Sequence, residues 1–192
     1  MNTAKTTKSA LLNSGIEEIS KYGIREFSLR RVSARCGVSC AAPYKHFESK
    51  EQFLQEIFRE ITATWHRHQE GIISKGLAPA EQLVALVGEY ITFLADNPGY
   101  ANLIVMNDPT LGDAMLKMKR ELTECLRDTL KKICDLHGLS EEAYYTRLFA
   151  LRSNIYGAVV MLTADGEDSY GKAEVIRLMN AVLTNEFEKS AK

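Results

Sequence analysis

Proline and cysteine are both scarce in this 192-residue chain, four of each, and no stretch gathers proline or serine into a linker. The expectation is one globular body, with a sizeable core, and a small appended head. No apolar run approaches the roughly eighteen residues of a membrane span. The polar opening Met1-Asn2-Thr3-Ala4-Lys5 lacks the apolar stretch of a signal peptide, so the cytoplasm is the expected compartment and the cysteines are expected as reduced thiols. Cys36 and Cys40 are four apart with no second Cys or His pair at zinc-finger spacing, and Cys125 and Cys134, nine apart, fall on opposite faces of one helix. Of His66, His68 and Glu70, only His66 and Glu70 share a helical face, too few ligands for a metal site. Gly-rich phosphate loops, a nucleophile elbow and a His-Glu-x-x-His pattern are all missing. An enzyme, a metal and a resident cofactor are therefore not expected.

Strand-like alternation and internal repeats are also missing, and the apolar residues recur at helical spacing, which predicts an all-α fold of about nine helices. The first helix is expected over Thr3 to Lys21 and closes at Tyr22-Gly23. A long helix runs from Ser49 to about Ser74, and Lys75-Gly76 and Pro79 restart the chain. Asn97-Pro98-Gly99 and Asn107-Asp108-Pro109 bracket a short helix. Long segments follow over Thr110 to Leu136 and Ser140 to Thr163, and Asp165-Gly166-Glu167-Asp168 turns the chain into a last amphipathic helix.

The most informative segment runs from Ser28 to Phe53. Ser28 suits the N-cap of a short helix, and Phe27 and Val32 stand at the spacing of a hydrophobic staple. Cys36-Gly37-Val38 supplies a turn in which Gly37 takes the left-handed conformation. Ser39 then caps a second short helix, to about Lys45, and Ser49 and Gln52 have capping-box spacing at the start of a third. Helix, tight turn and reading helix are the parts of a helix-turn-helix. Charge agrees: up to Lys50 nine Lys/Arg stand against four Glu, a net +5, while the remainder carries fifteen basic against twenty-one acidic residues, a net −6. A basic head on an acidic body attracts phosphates while the rest stays soluble.

In order, spacing and position, Gly37-Val38-Ser39, Tyr44, His46-Phe47 and Ser49-Lys50-Glu51 resemble the signature of the TetR family of bacterial transcriptional regulators. The motif resemblance covers roughly the first fifty to sixty residues, the size of a small three-helix domain. Beyond it the likeness is one of helical character and length. Pro43 departs from the aliphatic residue usual there, and the short helix is expected to tolerate it near its first turn. The resemblance implies a helix-turn-helix domain over 1–50, continuing into the first turns of the helix from 49, and a helical effector-binding and dimerisation domain over 51–192. The penultimate helix is similar to that of a subgroup carrying a Trp and a His-Gly pair, with Tyr156-Gly157 in the place of His-Gly and no preceding Trp.

Cys40, Ala41 and Ala42 leave the reading face without bidentate donors, so thymine methyl contacts and Lys45 are the expected base readout. The resemblance adds Arg30, whose counterpart faces the groove. Ser28, Ser39, Tyr44, His46 and Lys50 are the expected phosphate contacts, with packing between helices as the alternative for Tyr44 and His46. Cys40, at a helix start in a basic setting, is also a candidate redox switch, set against a plain contact residue.

So short a reading element implies a two-fold dimer on a pseudo-palindromic duplex operator. Leu148, Leu151, Ile155, Val159 and Leu162, with Val175, Leu178 and Val182, form stripes suited to an interface, although an intramolecular core explains them equally. The family's body implies a pocket for a small-molecule effector. Its candidate lining is Trp65, Tyr90, Phe93, Tyr100, Ile104, Met106, Met115, Met118, Leu122, Phe149, Arg152 and Tyr156, which packing alone also explains. Arg152 is expected to pair with an acid rather than an anionic effector. The whole predicts a ligand-released repressor, with an activator or a helical protein-interaction adaptor with a vestigial helix-turn-helix as alternatives.

Overall fold

A computed structural model of the chain describes residues 3–105, 112–163 and 170–189. Regular structure in them is entirely helical: α1 (Thr3–Tyr22), α2 (Leu29–Arg35), a 3₁₀ turn (Pro43–Lys45), α3 (Lys50–Ile73), α4 (Pro79–Ala95), α5 (Pro98–Val105), α6 (Asp113–Leu122), α7 (Glu124–Leu136), α8 (Glu141–Thr163) and α9 (Lys172–Lys189). The turns expected at Asn107-Asp108-Pro109 and Asp165-Gly166-Glu167-Asp168, and Met106, lie outside the described residues. No helix among the described residues is long and apolar enough to cross a membrane.

Two compact units divide the chain, one of Met1–Thr64 with Asn97–Lys119 and one of Trp65–Asp96 with Arg120–Lys192. This division differs from the boundary expected at residue 50, because α5 packs on α1. Gly99 makes that approach possible: a Cβ there meets the Ile16 carbonyl oxygen at 2.8 Å and Ile16 Cγ2 at 2.9 Å. Asn102 adds a hydrogen bond to the Ser20 carbonyl, 3.1 Å. The first unit is centred on aromatic packing, with the Phe53 ring 4.6 Å from Phe47 and 5.6 Å from Phe27.

In the second unit α4 packs on α7, α8 and α9. Its Leu83, Leu86, Val87, Tyr90, Ile91 and Leu94 are fully buried, as a helix apolar around most of its girth requires. The segment expected as one helix over Thr110 to Leu136 is interrupted at Thr123. The buried Trp65 indole donates to the Leu122 carbonyl at 2.9 Å, and the Arg127 guanidinium donates to the Arg120 carbonyl at 2.9 Å. Side chains thus satisfy acceptors of the last turn of α6, and the helix ends there.

Candidate nucleic-acid interface

The helix-turn-helix builds itself from local rules. Ser28 caps α2, its hydroxyl oxygen accepting the Arg31 N–H at 3.4 Å, and Phe27 and Val32 are both buried as the staple requires. At the other end Gly37, φ +66°, closes a Schellman motif: Val38 N–H donates to the Ser33 carbonyl at 3.0 Å and Gly37 N–H to the Ala34 carbonyl at 3.1 Å. Ser49 caps α3, accepting the Gln52 N–H at 3.1 Å. The Gln52 side chain returns to the Glu48 N–H, one residue earlier than a capping box places it.

The reading element departs from expectation. Instead of an α-helix from Ser39, the chain makes successive three-residue turns: Ala42 N–H donates to the Ser39 carbonyl at 2.9 Å and His46 N–H to the Pro43 carbonyl at 2.9 Å. In an α-helix beginning at Ser39, residue 43 donates the first bond, and Pro43 has no N–H to give. The first wider ring therefore cannot close, the segment takes 3₁₀ form over Pro43–Lys45, and an α-type bond appears only at its end, where Phe47 N–H donates to the Pro43 carbonyl at 2.9 Å. Cys40 consequently stands on a turn and not at a helix start, which removes one of the two grounds for a reactive thiol.

Ser39, Cys40, Ala41, Tyr44, Lys45, Arg30 and Lys50 are exposed, and Ser28, Ala42 and His46 are half-buried. Tyr44 at 59% exposure is not packed between helices, whereas His46 stands edge-on to the Phe47 ring at 6.1 Å. The basic excess of the head is partly structural. Arg31 and Arg35 both bind Glu18, a fully buried carboxylate of α1: Arg31 Nε reaches Oε1 and Arg35 Nη2 reaches Oε2 at 3.2 Å. Lys8 pairs with Glu56 at 2.8 Å and holds its carboxyl below the usual range through their hydrogen bond. Arg30 and Lys45 have no ion pair among the described residues, and Lys50 lies over the Phe27 ring at 5.5 Å. These three, with Lys21 over the Tyr22 ring at 5.3 Å, are cations of the head without an ion pair among the described residues. Sequence reasoning missed Glu18, although its position one and two turns after Ser14 and Leu11 on the buried stripe of α1 marks an acid that needs partners.

The body residues divide between the units. Tyr100, Ile104, Met115 and Met118 belong to the first, and Trp65, Tyr90, Phe93, Leu122, Phe149, Arg152 and Tyr156 to the second. Trp65, Tyr90 and Phe93 form a closed aromatic cluster, with centroids 4.8 and 5.4 Å from Trp65. The Tyr90 hydroxyl is buried without a hydrogen-bond partner, and burial, with Tyr156 nearby, pushes its pKa up. Arg152 does not make the acid pair expected of it among the described residues; it lies over the Tyr156 ring at 5.8 Å. With Tyr145, Leu148, Phe149, Ser153 and Tyr156 it lines an open recess of about 410 Å³.

Four of the eight expected interface residues are taken by the second unit's own core. Leu151, Ile155, Val159 and Val175 are buried there, because the stripe at four-residue spacing is the face α8 turns inward. Leu148 and Leu162 are half-buried, and Leu178 and Val182 exposed. The outward apolar residues of α8 are Tyr145, Phe149, Val160 and Met161, with Phe149 75% exposed. A second stripe offset on the same helix was the available signal.

Comparison with known proteins bears on this head. Residues 11–57 match the model for bacterial regulatory proteins of the tetR family. The chain is 21% identical over 179 residues to the fatty acid metabolism regulator protein of Bacillus subtilis, covering 90% of each. Its fold is similar to FadR from Bacillus subtilis, solved with stearoyl-CoA, at a TM-score of 0.69 and 17% identity over 92% of this chain and 95% of that one. A TetR-like transcriptional regulator from Rhodococcus sp. RHA1 gives a TM-score of 0.74 at 12% identity, covering 95% and 96%. The capped α2, the Schellman turn and the exposed segment after it all lie inside residues 11–57, so the head carries the helix-turn-helix of the tetR-family model and the chain is a DNA-binding transcriptional regulator.

Proposed function

We propose that the protein is a homodimeric repressor whose two heads read a pseudo-palindromic operator and which leaves it when an anionic, acyl-bearing effector binds. The head is residues 1–50 with the first turns of α3, and the remainder serves dimerisation and effector binding. Arg30 and Lys45, free of ion pairs among the described residues, carry the DNA reading, with thymine methyls meeting Ala41 and backbone contacts from Ser39, Tyr44 and Lys50. Dimerisation draws support from α8, which is apolar on two faces, one filling its own core and one exposed beside Leu178 and Val182.

One observation carries the effector class. Arg152 lies in an open recess with no acid partner among the described residues, and a buried Tyr90 hydroxyl without a partner is close to it. A guanidinium so placed suits a phosphate or carboxylate head. The stearoyl-CoA held by the similar Bacillus subtilis structure adds the acyl chain. Release requires that the effector bind the DNA-free arrangement better than the DNA-bound one.

Selection of the purified protein against a random duplex library tests the reading, followed by titration of the enriched operator complex with stearoyl-CoA. An enriched inverted repeat, released by stearoyl-CoA in the native protein and about tenfold less readily in Arg152→Gln, is expected. A single half-site overturns the dimer. Release unaffected by Arg152→Gln overturns the assignment of the anionic head.

A further inference from the structure

The second unit has another recess, of about 340 Å³, which shares no lining residue with the one at Arg152. α3 supplies His66, Gln69 and Ile73, α4 supplies Gln82, and the end of α6 with α7 supplies Glu121, Glu124, Cys125, Asp128, Thr129 and Lys132. Its volume is at the lower end of the range of small-ligand clefts, roughly 300–1,000 Å³.

The charges are ordered by the helix. Glu124, Asp128 and Lys132 follow at four-residue spacing along one line of α7, and Glu121 stands one turn before them. Like charges four apart repel, and neither Glu121, Glu124 nor Asp128 has an ion pair among the described residues. Three carboxylates against one ammonium leave the recess anionic. It therefore repels the phosphate or carboxylate head that suits Arg152, so the two recesses take ligands of opposite charge.

The floor supplies a second observation. Gln82 Nε2 donates to Thr129 Oγ1 at 3.2 Å, and Thr129 in turn donates to the Cys125 carbonyl at 2.8 Å, so these groups are satisfied. Gln69 is not. Its side chain is 95% buried, and its amide nitrogen has no hydrogen-bond partner. A buried donor left unmade calls for an acceptor from outside the chain. Burial pushes the pKa of the Cys125 thiol up.

We infer that this recess binds a small organic amine carrying a hydrogen-bond acceptor, an amino alcohol being the simplest case. Its ammonium is held by Glu124 and Asp128 with Glu121 at the rim, and its oxygen accepts from the Gln69 amide. The inference stands apart from the effector reading and survives its failure.

Calorimetric titration of the full chain tests it, with ethanolamine as probe, N-acetylethanolamine as the uncharged control and propylamine as an amine of the same charge without the acceptor. Saturable binding of one ethanolamine per protomer is expected, with both comparison compounds at least about tenfold weaker. Glu124→Gln and Asp128→Asn, both at exposed positions, each weaken ethanolamine by about tenfold, and Gln69→Met weakens it while leaving propylamine unchanged. Glu142→Gln makes the same change of net charge outside the recess and leaves affinity intact. No saturable binding of ethanolamine up to about 10 mM overturns the site. So does equal binding of the acetylated control, or equal weakening by Glu142→Gln.

Discussion

Removing the Glu18 carboxylate tests how α2 is held to α1. Both its oxygens are engaged, one by Arg31 Nε and one by Arg35 Nη2, and the residue is fully buried. Arg31 also donates to the Glu26 carbonyl, and Arg35 to the Ser14 carbonyl at 3.3 Å. A hydrogen bond to a charged group contributes about 1.5–3 kcal/mol, and breaking a buried ion pair costs about 3–5 kcal/mol because a charge is left dry. Here the two arginine side chains are 44% and 35% exposed, so water recovers them and the cost falls to the bottom of that range. Glu18→Ala is expected to lose about 3 kcal/mol, and Glu18→Gln, which keeps volume and one acceptor, about 2 kcal/mol. For a chain of this length the second figure corresponds to about 4–8 °C of Tm. Urea unfolding followed by circular dichroism gives the total, and hydrogen exchange of the α2 amides locates it. A cycle of Glu18→Gln with Arg35→Gln isolates the coupling. Losses under about 0.5 kcal/mol in both single variants, with no faster exchange in α2, would refute this account of α2 docking.

Other substitutions probe other contacts. Gly99→Ala drives a methyl against the backbone oxygen of Ile16 and is expected to destabilise the first unit by about 2–3 kcal/mol in urea melts. Gly37→Ala meets no atom within 4 Å, so only its positive φ is penalised, by about 1 kcal/mol; a larger loss for Gly37 than for Gly99 overturns the ranking of crowding above strain. Lys45→Ala should reduce the slope of log affinity against log salt by about one unit, on operator and random duplex alike. Tyr90→Phe deletes a buried hydroxyl that has no partner and is expected to leave thermal stability unchanged or raised by up to about 1 kcal/mol. A clear loss there reveals a hydrogen bond from a bound water.

The readable features of the head were those decided within a few residues. An N-cap, a staple and a Schellman glycine each depend on neighbours three to five positions away, and all three stand where the spacing of Ser28, Phe27–Val32 and Gly37 put them. Pro43 is legible in the same way, but its consequence depends on the length of the helix around it. Its missing N–H is harmless inside a long helix's first turn and decisive in a seven-residue one, where it removes the first α-type bond. Whatever depended on distant partners was hidden. Thr123 breaks a helix because Trp65, far away in sequence, takes the Leu122 carbonyl. Glu18 reads as one more solvated acid until α2 brings two guanidiniums to it.

The same limit explains α8. Leu151, Ile155 and Val159 gave a periodic stripe, and periodicity states that a face is apolar without stating what covers it. The structure turns that stripe onto α4's side of the unit and leaves Tyr145, Phe149, Val160 and Met161 outward, so the helix is apolar on two faces. A single-face amphipathic helix needs one partner surface, and this one needs two. If a second copy covers the outer face where Met161 stands with Leu178 and Val182, clear of the Arg152 recess, Met161→Glu places a charge in that face and should yield a folded monomer by sedimentation. A burial-driven effect within one chain predicts the opposite, because Met161 is already 54% in water there and its replacement should leave both stability and mass unchanged. Loss of the dimer with an unaltered melting transition of the monomer separates the outer face from the inner one, a distinction the stripe alone does not draw.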